Sequence, residues 1–353
     1  MKEKFALYRT TKKQLMQWVD LSESLTCVMS WFVIGLIFAQ NAPLPKIAAK
    51  IPWSTKLPSR TQRLWRWLKN PRVNCALLSK SIAQRWLANF HDTTIYLVID
   101  RTDINANHWL LFVGLCYRGR AFPLVWKVLP GKGSTSFARQ RALLRVIEPM
   151  IDKSCRVVLL GDREFRSTAL MGFCQRRGWH FRLRLKCDIW IRANRRWFQL
   201  RDLSLKPGER RYFQSVYITR KRRGPFHLAC WLDIGGKDPW YIATDTKADA
   251  GTLLDFKKRF YVEPMFSDFK SRGLNLEETR IQNPQRIDRL LLVVVICYLF
   301  VTQQGMSCIR VGLRRFFEKT CRRFYSLYRL GELYFSHRFD SGQQIKFAFP
   351  RLC

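Results

Sequence analysis

Apolar residues recur at helical spacing through the first ninety positions of the chain and then gather into short continuous runs. The polar opening MKEKFALYRTTKKQ leads into an apolar run at 25–40 (LTCVMSWFVIGLIFAQ), then PLPKIAAKIP, a basic segment at 60–68 (RTQRLWRWL) and LLSKSIAQRWLANF. These predict a helical N-terminal domain over residues 1–90. In RTQRLWRWLKNPR, Arg and Lys interleave with Trp. Cations for phosphates beside aromatics for packing suit a DNA-contacting domain, and an ordinary amphipathic helix with a solvated basic face fits as well.

From Thr93 the pattern changes. TTIYLVIDRTD reads as a buried strand ending in carboxylates, and WLLFVGLCYRG with RAFPLVWKVLP as a hairpin turned at 118–120. SFARQRALLRVIEPMID predicts a helix, CRVVLLGDREF a fourth strand, STALMGFCQRRG a helix and WHFRLRLK a fifth strand. Three meander strands followed by alternating strand and helix predict an α/β domain over residues 91–305, a mixed five-stranded sheet flanked by helices. Within it, residues from about 188 to 245 fall into short aromatic-, Arg- and Gly-rich segments (RRWFQL, RRYFQSVYIT, FHLACWLD, PWYIATD) and read as a β-rich insertion. One helix is expected from about 247 through GTLLDFKKRFYVEPMFSDFKSRG and another over 285–304, leaving 306–353 as a basic C-terminal tail.

The apolar runs at 25–40 and 290–301 (LLLVVVICYLFV) fall short of the roughly 18 to 20 apolar residues that cross a bilayer. Both are expected as buried core helices, and no membrane partner is expected. The 353 residues are 47% hydrophobic and 14% aromatic, which excludes a disordered chain. Sixty-three Lys and Arg against 26 Asp and Glu give a net charge of +37, spread over every segment. Such a surface calls for a polyanion, nucleic acid first because phosphate neutralisation releases counterions, and an anionic membrane second. Eleven cysteines stand singly with no CxxC pair, which fits a reducing compartment rather than a zinc or disulfide framework. The basic start is not followed by an apolar stretch and a small-residue cleavage site, so the expected location is the cytoplasm.

Asp100 closes the run YLVID and Asp162 the run VVLLGD, so strands laid side by side would bring both carboxylates to one end of a sheet. Charge there needs a partner. A divalent cation such as Mg2+ supplies it, taking carboxylate oxygens together with water and substrate phosphate. Two ions bridged by a shared carboxylate can activate the attacking oxygen and stabilise the leaving oxygen of an in-line phosphoryl transfer. Each Asp taken singly also suits a helix cap or turn. The third element is the helical stretch 256–270, which reads F-x2-R-x3-E-x6-K with Phe256, Arg259, Glu263 and Lys270. At those spacings Arg259, Glu263 and Lys270 would project from one helical face, a metal ligand flanked by two phosphate-binding cations, or else a solvated ion-pair stripe.

In this combination the sequence resembles the DDE transposases of bacterial insertion sequences of the IS4 type. That family's RNase H-like catalytic domain carries Asp, Asp and Glu in this order, with a β-rich insertion before the Glu, which lies in a signature written Y-x2-R-x3-E-x6-K. Arg259, Glu263 and Lys270 match it, and Phe256 stands where the family has Tyr. The departure removes a hydroxyl that could contact DNA and leaves the metal ligand intact. The resemblance covers residues from about 45 to 300, with Asp162 lying 62 positions after Asp100 and Glu263 lying 101 positions after Asp162. It implies that Asp100, Asp162 and Glu263 bind two Mg2+ or Mn2+ ions and that Arg259 and Lys270 contact phosphates near the transposon end. It further implies cleavage of double-stranded DNA at the element's ends, attack of the freed 3'-OH on target DNA, a homodimer on paired ends, and residence on the bacterial nucleoid.

Several neighbours invite other roles. Asp103, just past Asp100, suits a turn or hydrogen-bonding role, and Glu164 is not counted among the ligands. Trp240 could stack on an unpaired base at a cleaved end, although a strand Trp also serves packing. The five histidines form no HxH or HExxH pattern, which argues against a zinc hydrolase. Competing readings are an RNase H-like nuclease that never joins strands, and a DNA-binding remnant of a mobile element without catalysis, against which the carboxylate trio argues. A peripheral membrane protein comes third, and whether residues 25–40 pack inside the fold decides it.

Overall fold

Five helices come first: α1 (Lys2–Trp18), α2 (Glu23–Ala39), α3 (Leu44–Lys50), α4 (Leu57–Lys69) and α5 (Cys75–Leu87). The structure is a computed structural model, and it describes residues 2–131, 135–270, 272–318 and 324–348; Cys321, Cys353 and the last residues of the basic tail lie outside these. Local chemistry sets many of the starts. Asn74 accepts from Leu77 N at the head of α5, Ser136 from Arg139 N at α6 (Phe137–Ile147), and Ser167 from Leu170 N at α7 (Thr168–Gln175). Each satisfies a backbone N–H that a helix leaves unpaired in its first turn.

The strands β1 (Thr94–Asn105), β2 (His108–Tyr117) and β3 (Arg120–Pro130) form an antiparallel meander. Its second turn is the expected one: Tyr117 pairs with Arg120 across Arg118 and Gly119, whose φ values of 48° and 79° suit a two-residue hairpin. β4 (Arg156–Gly161) then pairs parallel with β1, and β5 (His180–Arg184) parallel with β4, in the order β3-β2-β1-β4-β5.

The sheet does not stop at five strands. The insertion supplies β6 (Trp190–Ala193), β7 (Arg196–Gln199), β8 (Arg210–Ile218), β9 (Arg223–Trp231) and β10 (Trp240–Thr244), and β10 pairs antiparallel along β5. One ten-stranded sheet results, continuing β5-β10-β9-β8-β6-β7. An open β5 would present a row of unpaired N–H and C=O groups, and the insertion satisfies them.

Five α-helices follow β10 among the described residues: α8 (Ala250–Lys257), α9 (Val262–Phe269) and α10 (Pro284–Arg310), then α11 (Arg314–Phe317) and α12 (Leu327–Asp340) inside the basic tail. The apolar run at 290–301 belongs to a 27-residue helix, α10, so the expectation that it is too short to span a bilayer is corrected: length and mean hydropathy of 1.9 would allow it. Ninety-four per cent of its most apolar stretch is nevertheless buried inside the protein, where α10 meets α2, α4, α5, α12 and β3. Residues 29–37 of α2 are buried too, so both apolar runs pack inside the fold. One apolar core runs from Leu7 to Phe347.

Polar groups tie the helices to this core. Arg289 of α10 donates to the Val73 and Leu68 carbonyls, fastening the end of α4. Arg120 pairs with Asp268 at the end of α9, both nearly fully buried. Burial pushes Asp268 up to about 7, with Arg120 pulling the other way. α12 crosses α10 at Gly331 and Gly305, where a Cβ on Gly331 would stand 1.9 Å from the Val301 carbonyl oxygen.

Two outcomes follow from this packing. Gly331→Ala should lose about 3 kcal/mol of stability through overpacking, read as a lower urea midpoint; an unchanged midpoint would show that α12 does not cross α10 this closely. Because the folded Asp268 carboxyl titrates above its unfolded value, its stabilising contribution is complete at low pH and is lost as pH rises between about 4 and 7. Asp268→Asn, neutral at every pH, should show a flatter pH dependence in denaturation series over that interval, its stability gaining on the wild type as pH rises.

Candidate active site

The parallel ladder between β1 and β4 ends at the pair Ile99 and Gly161, so Asp100 and Asp162 stand side by side one residue beyond it. Asp100 does not terminate its strand as expected. β2 continues to pair with β1 as far as Asn105, and Asp100 lies within β1 opposite Phe112. Asp162 does leave its strand, and it caps the short 3-10 turn Arg163–Phe165 by accepting from Glu164 N at 3.0 Å.

The helix expected over 256–270 is broken. α8 begins at an Asp249/Thr252 capping box and ends at Lys257, a 3-10 turn takes Lys258–Tyr261, and α9 starts at Val262. The signal was Pro264: its ring excludes a helical carbonyl four residues earlier, at Phe260, and it has no N–H to give. Arg259 therefore sits in the tight turn and Glu263 in the first turn of the next helix.

That turn puts the Arg259 guanidinium among the carboxylates. Its Nη2 lies 2.7 Å from Asp100 Oδ2 and 3.4 Å from Asp162 Oδ2, and its Nη1 lies 3.7 Å from Glu263 Oε1. Side-chain exposure rises from 6% at Asp100 through 36% at Asp162 to 62% at Glu263, a ladder from core to solvent. Burial pushes Asp100 up to about 6. Arg259 and the Arg101 N–H oppose the shift, and the Asp162 and Glu164 carboxylates add to it.

Two neighbours were missed in the sequence. Glu164, set aside there, accepts from Arg101 Nε at 2.5 Å and from Thr135 N at 2.9 Å, tying β1 to the segment after β3 beside Asp100. Arg184 is the other: β4–β5 register puts Arg182 and Arg184 on the sheet face that carries Asp162, a consequence of strand alternation legible in HFRLR. Burial presses the Arg184 pKa down, and the Arg163 cation presses it further.

The remaining expected residues lie apart. Lys270 does not share a face with Arg259; it follows the end of α9 and lines a groove with Arg101, Asp103 and Glu277. Asp103 sits in β1 opposite Trp109 rather than in a turn. Trp240 packs against Trp231 and Phe256 and stacks on Phe260 at 5.2 Å, with part of its ring exposed. Phe256 is buried in that cluster.

Among the described residues, no three His, Cys, Asp or Glu side chains are grouped closely enough to hold a metal ion. Asp100 and Asp162 nevertheless face one cationic nitrogen with oxygen-only donors, the set that suits Mg2+ or Mn2+. Arg259 also keeps a buried Nε without a hydrogen-bond partner, so its present pose leaves a donor unsatisfied. The donors fit a divalent cation in kind, with a guanidinium standing between them.

Among curated proteins, none matches the chain. A family model does, described as the transposase DDE domain, over residues 97–300, a segment that contains Asp100, Asp162, Arg259 and Glu263. With more than half of its length so matched, and a mixed α/β fold around those carboxylates, the chain belongs to the DDE transposase family.

Proposed function

We propose that this chain is an IS4-type transposase that cleaves double-stranded DNA at the ends of an insertion sequence and joins the freed 3'-OH to target DNA. The observation that carries the reading is the shared Arg259 nitrogen between Asp100 and Asp162, with Glu263 across the same guanidinium. Asp100, Asp162 and Glu263 would hold two Mg2+ or Mn2+ ions, which supply activation of the attacking oxygen and charge stabilisation of the leaving one.

The chain's own side chains do the rest. Asp100, held rigidly in the sheet and closed off from water, anchors the site, and the more exposed Asp162 and Glu263 adapt to what enters. Arg259, turned from the carboxylates, has a guanidinium fork matched to a phosphate. Lys270 in its groove and Arg184 beside Asp162 add charge along the backbone path, which is where catalysis of phosphoryl transfer chiefly needs help. The exposed part of Trp240 would receive an unpaired base. Arg63, Arg66 and Lys69 are exposed along α4, with Arg63 stacked over Trp53 at 4.5 Å, and suit the first ninety residues to DNA contact. A homodimer on paired ends, in the cytoplasm on the nucleoid, belongs to the same reading.

Cleavage of a labelled duplex carrying the ends of the encoding element should require Mg2+ or Mn2+, and Asp162→Ala should slow it by about 1,000-fold, roughly 4 kcal/mol of barrier. Cleavage without strand joining would leave a nuclease; binding with no cleavage in either metal would sink the enzyme reading. Arg259→Ala should lower the metal-free stability by about 2 kcal/mol, because Asp100 loses its counter-ion, and should enlarge the rise in melting temperature produced by Mn2+. Melts that shift in neither condition would show that Arg259 does not neutralise these carboxylates.

A further inference from the structure

At the far end of the sheet, β6, β7 and β8 bring a second set of aromatic and cationic side chains together. Arg192 on β6 pairs directly with Trp197 on β7 and with Tyr217 on β8, so the three form a row on one face. In the next row Trp190 pairs with Gln199, and the Arg220 guanidinium stacks over the Trp190 ring at 4.4 Å. The opposite face holds Ile191, Val216 and Ile218, which are buried in the core. Trp190, Trp197 and Tyr217 are partly exposed and belong to none of the packed apolar clusters of the described residues. Large rings held out of the core beside arginines are an arrangement that packing does not require.

Strand registers tell where this face leads. Val216 faces the core side with Phe226, so Tyr217 shares the other side with Trp231, the partner of Trp240. Trp240 shares that side with Ile242, the partner of Arg184, and Arg184 with Asp162. One face of the sheet thus carries Asp162, Arg184, Trp240, Trp231, Tyr217, Arg192 and Trp197 in order. α8 packs over β5, β10 and β9 in the middle of it. At about 4.8 Å per strand, β6 lies roughly 24 Å from β4. Residues 188–223 carry eleven Lys and Arg against three Asp and Glu, so the region is strongly cationic.

We propose that this outer face is a binding platform for single-stranded DNA. Trp190, Trp197 and Tyr217 stack on bases, while Arg192 and Arg220 neutralise the backbone, so that one strand is held beyond the carboxylate site along the same sheet face. Duplex DNA hides its base faces and would gain only the charge contribution. The proposal stands whether or not the carboxylates cleave DNA.

The test compares binding of the full chain to a labelled oligothymidine of about 20 nucleotides and to a duplex of equal length, by fluorescence anisotropy without metal. The double variant Trp190→Ala, Trp197→Ala should weaken oligothymidine binding at least about tenfold and leave duplex binding within about twofold, since each stacked base contributes about 1 to 3 kcal/mol. Trp190→Phe with Trp197→Phe should retain most of the affinity. Equal losses on both DNAs, or no loss on either, overturn the platform. Ultraviolet crosslinking of oligothymidine to the wild-type chain gives an arm independent of variant folding: crosslinked peptides within 188–223 support the proposal, and crosslinks confined to other segments overturn it.

Discussion

An aspartate buried beside a second carboxylate, with a third across a shared guanidinium, sets the terms for the rest of the molecule. Asp100 has 6% of its side chain exposed and is pushed up to about 6 by burial, so its charge is tolerable only because Arg259 lies 2.7 Å away. Holding that arrangement needs three things at once: a parallel ladder that stops at Ile99 and Gly161, a tight turn that aims Arg259 inward, and a scaffold rigid enough to keep both in place. A guanidinium among three carboxylates balances charge in a site built from like charges.

The scaffold divides that work. α10, buried on nearly every side, carries the N-terminal helices through Arg289 and the tail helix through the Gly305–Gly331 crossing. The insertion does the corresponding work for the sheet, continuing it from β5 and burying that strand's edge. In doing so it extends the face that bears Asp162 outward through Trp240 and Trp231 to the rings of β6, β7 and β8. The carboxylates occupy the crowded middle of the sheet, and cationic and aromatic surface spreads along its length.

Much of this was legible in the residues. The runs YLVID and VVLLGD, rich in β-branched residues and each closed by Asp, announced two buried strands, and the register lays them side by side. The hairpin at Arg118 and Gly119 and the β-rich character of 188–245 were equally visible. Other features were misread for physical reasons. The extent of β1 depends on β2, which pairs past Asp100 where β4 has already ended. The break at Lys258–Tyr261 was written in Pro264, but a helical stripe of Arg259, Glu263 and Lys270 concealed it. Glu164 looked redundant because its partners, Arg101 and Thr135 N, come from distant segments.

Periodicity, proline and glycine positions and the balance of charge are local properties, so the sequence alone determined the order of strands and helices, the two aspartates on buried strands and a surface that seeks a polyanion. Which strand edge the insertion would cover, which carboxylate would be buried and which exposed, and where Arg259 would point were decided by the tertiary structure. Each depends on what stands across from a residue rather than beside it in the chain. A carboxylate's charge becomes costly or useful only once its neighbours in space are set, and here those neighbours come from β1, the end of β4 and the turn after α8, as much as 159 residues apart along the chain.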